Sequence, residues 1–195
     1  MREIDATKPS AAEANLPRNA RAALYALLAE LLTQELDASR LEALRPFADV
    51  LATAEPELGD WIRRAGEQEL AELRSEFARL FLLPGGVPPQ ASAWLENEEE
   101  PRAGQIATLV HRAMSALELE QTGSLGLLPF DHLGLIFAVA SKGLASSVME
   151  RAQIGEHVER EALGEWVIQF SDVLSRQSQA PIYRVAGRII MNVLR

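Results

Sequence analysis

The fold is set by the segment Pro129-Phe130-Asp131-His132-Leu133-Gly134-Leu135-Ile136-Phe137, in which a proline turn leads into a strongly apolar run. Pro129 disfavours helix for the residue before it, and the apolar residues after Asp131 recur at the spacing of one helix face. Asp131 is a residue type that caps a first helical turn, where the helix dipole favours a negative charge. The segment therefore predicts a buried α-helix with Asp131 as its N-cap and His132 beside it.

Helical spacing of apolar residues extends outward from this segment in both directions, and no stretch shows the sustained two-residue alternation of a half-buried strand. The predicted helices begin near Arg18, Ser39, Pro56, Leu70, Pro101, Asp131, Leu163 and Ile182. Residues 142–155 are predicted to be a weak connection or hinge. The sequence thus predicts an all-α protein: a loosely attached or disordered arm over residues 1–17, then one compact helical bundle over residues 18–195.

Composition excludes several classes of function. The 195 residues contain no cysteine, which rules out disulfides, thiolate metal sites and a cysteine nucleophile. The 28 acidic and 19 basic residues give a net charge of −9, which disfavours binding to a phosphate backbone and favours a basic ligand. No apolar run approaches the roughly 20 residues of a membrane span, so no membrane insertion is expected.

Motifs of enzyme chemistry are also missing from the sequence. None of the three histidines, at positions 111, 132 and 157, follows an acidic residue at the Glu-x-x-His spacing of helical metal centres. No Walker A, His-Glu-x-x-His, EF-hand or Gly-x-Ser-x-Gly pattern occurs. We therefore expect no metal, no cofactor and no catalytic residue.

A second segment, residues 76–94, reads Glu-Phe-Ala-Arg-Leu-Phe-Leu-Leu-Pro-Gly-Gly-Val-Pro-Pro-Gln-Ala-Ser-Ala-Trp. It is a helix end, a Pro-Gly turn and a proline-rich loop that ends on an aromatic residue. Together with Asp-His-Leu some forty residues later, it resembles the TorD/DmsD/NarJ family of redox-enzyme maturation chaperones. The resemblance covers roughly residues 18–194. The chain has Ala91 and Ile136 at two positions where the family often has glutamate.

The resemblance implies an all-helical cytoplasmic chaperone without enzymatic activity. Its implied partner is the twin-arginine leader, the unfolded apo-form, or both, of a molybdenum-containing oxidoreductase, which it holds for cofactor insertion and export proofreading. It further implies a monomer, with a domain-swapped dimer through residues 142–155 as the alternative. The peptide-binding residues that it implies are Tyr25, Leu80, Phe81, Pro84, Ser92, Trp94, Pro129, Asp131 and His132.

Alternatives remain open at the level of sequence. A chain of this length also fits a helical-bundle enzyme or small-ligand sensor with a pocket around Asp131, His132 and Tyr25. It fits a purely structural interaction bundle as well. Trp94 fits either a core anchor or a ligand contact. His132 fits either a hydrogen bond to a leader carbonyl or a role in holding its own loop. The acidic run over residues 96–100 is either a solvated loop or a feature that steers a basic peptide.

Overall fold

The computed structural model describes residues 16–49, 52, 55–95, 102–122 and 127–194, and within them the chain is helical with a single isolated antiparallel bridge. The helices are α1 (Arg18–Thr33), α2 (Ala38–Leu44), α3 (Pro56–Arg64), α4 (Glu67–Phe77), α5 (Ser92–Leu95), α6 (Arg102–Ala116), α7 (Leu133–Leu144), α8 (Met149–Ala162), α9 (Glu165–Gln177) and α10 (Pro181–Leu194). A 3-10 turn, Arg45–Phe47, follows α2, and a π-helical turn, Ala78–Leu82, follows α4. The predicted all-α bundle is confirmed. No helix in the described ranges has the length and apolar character needed to cross a membrane.

Helix α7 lies at the centre of the bundle, and ten of its twelve residues are buried. A helix that is apolar on all sides is stable only when it is covered on all sides. Helix α1 covers one side in antiparallel orientation: Tyr25 stacks on Phe137 at 5.1 Å between ring centroids, and the Ser141 hydroxyl donates to the Ala22 carbonyl at 2.7 Å. These contacts fix the start of α7 relative to α1.

Helix α8 covers α7 on a different side, and two glycines allow the approach. A Cβ atom added to Gly143 would lie 2.6 Å from the Cα of Gly155, and one added to Gly155 would lie 2.5 Å from the Leu144 nitrogen. Real Cβ atoms do not come this close to backbone, so larger residues would push the helices apart. Sequence analysis missed α8 because its buried positions are mostly small and give a weak apolar stripe.

Helices α9 and α10 form the other main pair, and α4 joins them through aromatic side chains. Phe81 contacts Phe77 and Tyr183 edge to face, at 5.2 and 5.4 Å between ring centroids. Gly187 of α10 faces the Ser171 carbonyl of α9. The last turn of α4 is thereby held against the C-terminal pair.

A buried carboxylate strengthens the same junction. Glu76 is 7% exposed and accepts hydrogen bonds from the Arg79 guanidinium at 2.7 and 2.9 Å, from the Ser178 hydroxyl at 3.2 Å and from the Gln179 N–H at 2.6 Å. Burial alone would raise the pKa of Glu76, but these donors outweigh it and hold the pKa below its usual value. Glu76 therefore ties α4 to the connection between α9 and α10.

The predicted helix start at Pro56 is confirmed, whereas the prediction for the start of α2 is wrong. Helix α3 begins at Pro56, and Gly66 is the N-cap of α4. The N-cap of α2 is Asp37, whose carboxylate accepts from the Arg40 N–H at 2.9 Å. Ser39 and Glu42 have the sequence spacing of a capping box, but they do not form one because α2 already starts at Ala38. The arm predicted over residues 1–17 lies outside the described residues except for its last two.

Candidate functional site

The structure joins the two sequence motifs into one unit. The Ala91 N–H donates to the Asp131 carbonyl at 3.0 Å, and the Leu133 N–H donates to the Pro89 carbonyl at 2.7 Å. These bonds flank the isolated antiparallel bridge between Gln90 and His132. We call residues 88–94 and 129–133 the loop junction. It brings together five of the predicted site residues: Ser92, Trp94, Pro129, Asp131 and His132.

The Asp131 carboxylate caps a different helix from the one predicted. Asp131 is 7% exposed, and its carboxylate accepts from the Ser92 N–H at 2.9 Å, at the start of α5. The N-cap of α7 is His132, whose Nδ1 accepts from the Gly134 N–H at 3.1 Å. The prediction that Asp131 caps α7 is wrong because α7 begins one residue later, which turns Asp131 towards the proline-rich loop.

His132 is a buried neutral ring. Burial lowers its pKa to about 4, and the adjacent Asp131 carboxylate opposes this shift only in part. Because Nδ1 accepts a hydrogen bond, the proton of the neutral ring is on Nε2. With 4% of its surface exposed, His132 holds the first turn of α7 in place.

Trp94 is anchored to the core on one side and lines a cavity on the other. Its indole N–H donates to the Pro88 carbonyl at 2.8 Å, and its ring packs edge to face on Phe170 at 6.1 Å between centroids. The ring is only half-buried and lines a cavity of about 380 Å³ between α5, α6, α8 and α9. The charged residues that line this Trp94 cavity are Arg102, Glu161 and Glu165, and the His157 ring lies among them.

Tyr25 and Leu80 lie in the core. Tyr25 is 1% exposed and Leu80 is completely buried. The Tyr25 hydroxyl donates to Glu159 at 2.7 Å, and Glu159 pairs with Arg21 at 2.6 Å. Burial, reinforced by Glu159, raises the pKa of Tyr25. In this structure both residues pack the bundle, so we assign them a supporting role rather than contact with a peptide.

The turn after α4 carries the remaining predicted residues. Phe81 is half-buried against the aromatic cluster, whereas Pro84 is exposed next to Leu82 and Leu83, which are 66% and 58% exposed. Gly85 has a φ of 83°, a conformation that favours glycine, and it reverses the chain. The turn is thus an exposed apolar edge held by a buried aromatic base.

Comparisons with known proteins agree with this architecture. Residues 13–173 match the family model described as nitrate reductase delta subunit. A TorD chaperone of Psychrobacter sp. is 31% identical over 173 residues, covering 78% of this chain and 77% of the relative. The chain belongs to the TorD/NarJ family of redox-enzyme maturation chaperones. It is a chaperone rather than an enzyme.

Two further relatives extend the TorD/NarJ assignment. A TorD chaperone of Shewanella loihica is 29% identical over 190 residues, covering 87% of each chain. The crystal structure of a redox enzyme maturation protein from Archaeoglobus fulgidus has the same fold, with a TM-score of 0.57, 15% identity and 97% coverage of both chains. Both matches span nearly the whole bundle, so the TorD-like fold applies to the chain as a unit.

At two positions in or next to the loop junction, this TorD/NarJ chain lacks the glutamate that the family often has. Ala91 and Ile136 are completely buried. An unpaired glutamate at either position would bear the cost of a buried charge. The small and apolar residues therefore fit the dry interior beneath the loop junction.

The residues opposite Trp94 were missed by sequence reasoning. Gln105, Leu109, Glu161 and Glu165 line the Trp94 cavity, but they stand on α6, α8 and α9, far from either motif in sequence. The available signal was the acidic character of residues 159–165. The acidic run over residues 96–100, which the sequence left open between a solvated loop and a steering feature, lies outside the described residues.

Proposed function

We propose that this chaperone binds, in the cytoplasm, the twin-arginine leader of a molybdenum-containing oxidoreductase while the enzyme is still in its apo-form. Membership of the TorD/NarJ family and the net charge of −9 support a basic polypeptide ligand. The observation that carries the proposal is the Trp94 cavity, where an anchored indole lies in the same pocket as Glu161 and Glu165. Such a pocket suits an arginine side chain.

The charges of the Trp94 cavity favour a guanidinium ligand. Glu165 stands exposed in the first turn of α9 and has no ion pair within the described ranges. Glu161 is half-exposed and pairs with Arg160 at 2.9 Å, a surface contact that water already weakens. Two carboxylates thus face one lining guanidinium, that of Arg102. A planar guanidinium can bind a carboxylate with two hydrogen bonds and stack on an indole ring.

The other predicted site residues have different roles in this proposal, according to their exposure. Ser92 and Pro129 are exposed at the loop junction and border the path of the peptide past Trp94. Asp131 and His132 hold that junction in place from below. Phe81 and Pro84 offer a second, apolar contact at the exposed turn, supported by Leu80 and, deeper in the core, Tyr25.

The test is calorimetric titration of the full chain with a synthetic peptide that carries Arg-Arg followed by about 12 apolar residues. We expect Trp94→Ala to weaken binding about tenfold, the loss typical of a central aromatic contact. Trp94→Phe keeps a ring against Phe170 and should lose less. Thermal melting of each variant separates lost binding from lost folding.

Peptide controls separate the proposal from a general interaction bundle. A peptide of the same composition in scrambled order should bind at least about tenfold more weakly than the leader. Equal binding of the two peptides, or unchanged affinity in folded Trp94→Ala, would refute the proposal. Co-purification from the native cell with mass spectrometry should recover an apo-oxidoreductase subunit, and size-exclusion chromatography should show a monomer.

A further inference from the structure

The Trp94 cavity continues into a larger groove along α6. The second depression has a volume of about 580 Å³ and shares Gln105, Leu109 and His157 with the first. We call the two together the α6 groove. Its lining runs along α6 from Arg102 to Ala116, about 21 Å at 1.5 Å per residue.

The groove has one apolar end and one acidic end. Helices α6 and α8 run antiparallel, because Ile154 lines the part beyond Leu109 while Glu161 lines the part near Arg102. The apolar end is formed mainly by aliphatic and small side chains: Thr108, Leu109, Ala113, Ala116 and Ile154. Among the described residues no carboxylate lines this end, whereas Glu161 and Glu165 line the other together with the single guanidinium of Arg102.

We propose that the α6 groove binds the apolar stretch of a client leader in one direction, with the leader arginines at Glu161 and Glu165 and the apolar stretch running towards Ala116. This inference rests on the function proposed above and adds the position and direction of the bound segment. Arg112 lines the apolar end, and Arg151 lies just beyond it, where its guanidinium donates to the Leu117 carbonyl at 3.2 Å. Arg151 is paired with Glu118, so Arg112 is the cation that would repel leader arginines from that end.

The length of the groove matches the proposed ligand. The apolar region of an export leader has 7–15 residues, which as a helix would span about 10–22 Å. A helix laid in an apolar groove is a common mode of peptide recognition, and it satisfies the backbone of the peptide internally. The apolar end of the groove, from Thr108 to Ala116, is about 12 Å long and accommodates about eight helical residues, which lies within this range.

A matched pair of substitutions tests the apolar end. Ala116→Arg places a long cation in the groove, and Ala71→Arg makes the same change at an exposed position of α4 that lines none of the cavities described above. With the synthetic Arg-Arg leader, we expect Ala116→Arg to weaken binding about tenfold and Ala71→Arg to leave it within about twofold. If the two variants bind the leader equally well and the wild type still binds it, binding of the apolar stretch in the α6 groove is refuted. The proposed function would be unaffected by that result.

A second matched pair tests the acidic end. Glu165 and Glu67 each follow a glycine N-cap as the first residue of a helix, α9 and α4, and both are exposed. We expect Glu165→Lys to weaken leader binding about fivefold at low salt, while Glu67→Lys changes it by less than about twofold. Added salt should reduce the difference in leader affinity between the two variants. Equal affinities at low salt would refute the assignment of the leader arginines to Glu161 and Glu165.

Direction is tested with spin labels, which the absence of native cysteine makes straightforward. A nitroxide on Ala116→Cys should broaden the signals of the apolar stretch of an isotope-labelled leader. One on Gln169→Cys, an exposed residue of the Trp94 cavity, should broaden the signals of its arginines. The reverse pattern, or equal broadening along the whole peptide, would refute the direction. Failure of the wild-type chain to bind the leader at all would instead refute the proposed function.

Discussion

Replacement of Glu76 by glutamine should destabilise the fold by about 2 kcal/mol. The Glu76 carboxylate accepts four hydrogen bonds, two of them from Arg79. The Arg79 side chain is 39% exposed, so its ion pair is partly screened and contributes about 1 kcal/mol. The Gln179 N–H donates to the Glu76 carboxylate at 2.6 Å, and the weakening of this hydrogen bond when the charge is lost adds about 1 kcal/mol more.

The assay is urea unfolding at neutral pH, read as a shift in midpoint at constant m. Glu76→Ala should cost more, about 3 kcal/mol, because it leaves the Ser178 hydroxyl and the Gln179 N–H without their acceptor. The control is Glu72→Gln on the exposed face of the same helix, which should stay within about 0.5 kcal/mol of wild type. Equal unfolding midpoints for Glu76→Gln and Glu72→Gln would refute the reasoning.

Acid titration gives an independent check on Glu76. Its pKa is lowered in the folded state from an ordinary value of 4.5. The stabilisation is therefore fully present above pH 4.5 and is lost as the pH falls through the lower, folded-state pKa. Glu76→Gln should remove this part of the acid sensitivity, and an unchanged pH profile would contradict the assigned hydrogen-bond network.

Three further measurements follow from the structure. Asp131→Ala should cost about 1 kcal/mol and speed hydrogen exchange at the Ser92 amide, whereas unchanged exchange would exclude the cap. Gly155→Ala should destabilise by about 2 kcal/mol or more in thermal melts, while Gly104→Ala, which has open space around its new Cβ, should stabilise by up to about 1 kcal/mol. The pKa of the His132 ring, measured by NMR, should be about 4 in the folded protein. Because the ring of the unfolded chain takes up its proton near pH 6.5, the free energy of unfolding should fall as the pH is lowered from 6.5 to 4. A pKa near 6.5 in the folded protein would contradict the burial of the ring.

Local sequence signals predicted the elements that local physics determines. Pro56 and Gly66 mark helix starts because a fixed φ and a missing side chain act on the backbone directly. Helix α8 escaped prediction because its buried face includes Ala152, Gly155 and Ala162, which contribute close packing rather than hydrophobic contrast. Periodicity detects apolar surface, and small residues supply little of it.

The site was predictable only in part for a related reason. Trp94 stands out from a proline-rich loop, so the sequence alone drew attention to it. Its partners do not: Asp131 caps a helix that starts 39 residues earlier in the chain, and Glu161 and Glu165 reach the same cavity only through the packing of α6 on α8 and α9. Such contacts depend on tertiary structure that no short window of sequence contains.

The antiparallel bridge at Gln90 and His132 has a consequence for which positions of the loop tolerate substitution. Its two flanking hydrogen bonds, Ala91 to Asp131 and Leu133 to Pro89, join main-chain atoms only. Residues 89–91 are thus held by backbone bonds, whereas Pro88 and Ser92 are held by side chains, the Trp94 indole and the Asp131 carboxylate. A substitution at Gln90 therefore leaves both main-chain bonds in place, whereas a substitution at Asp131 or Trp94 removes a side-chain bond that holds the loop.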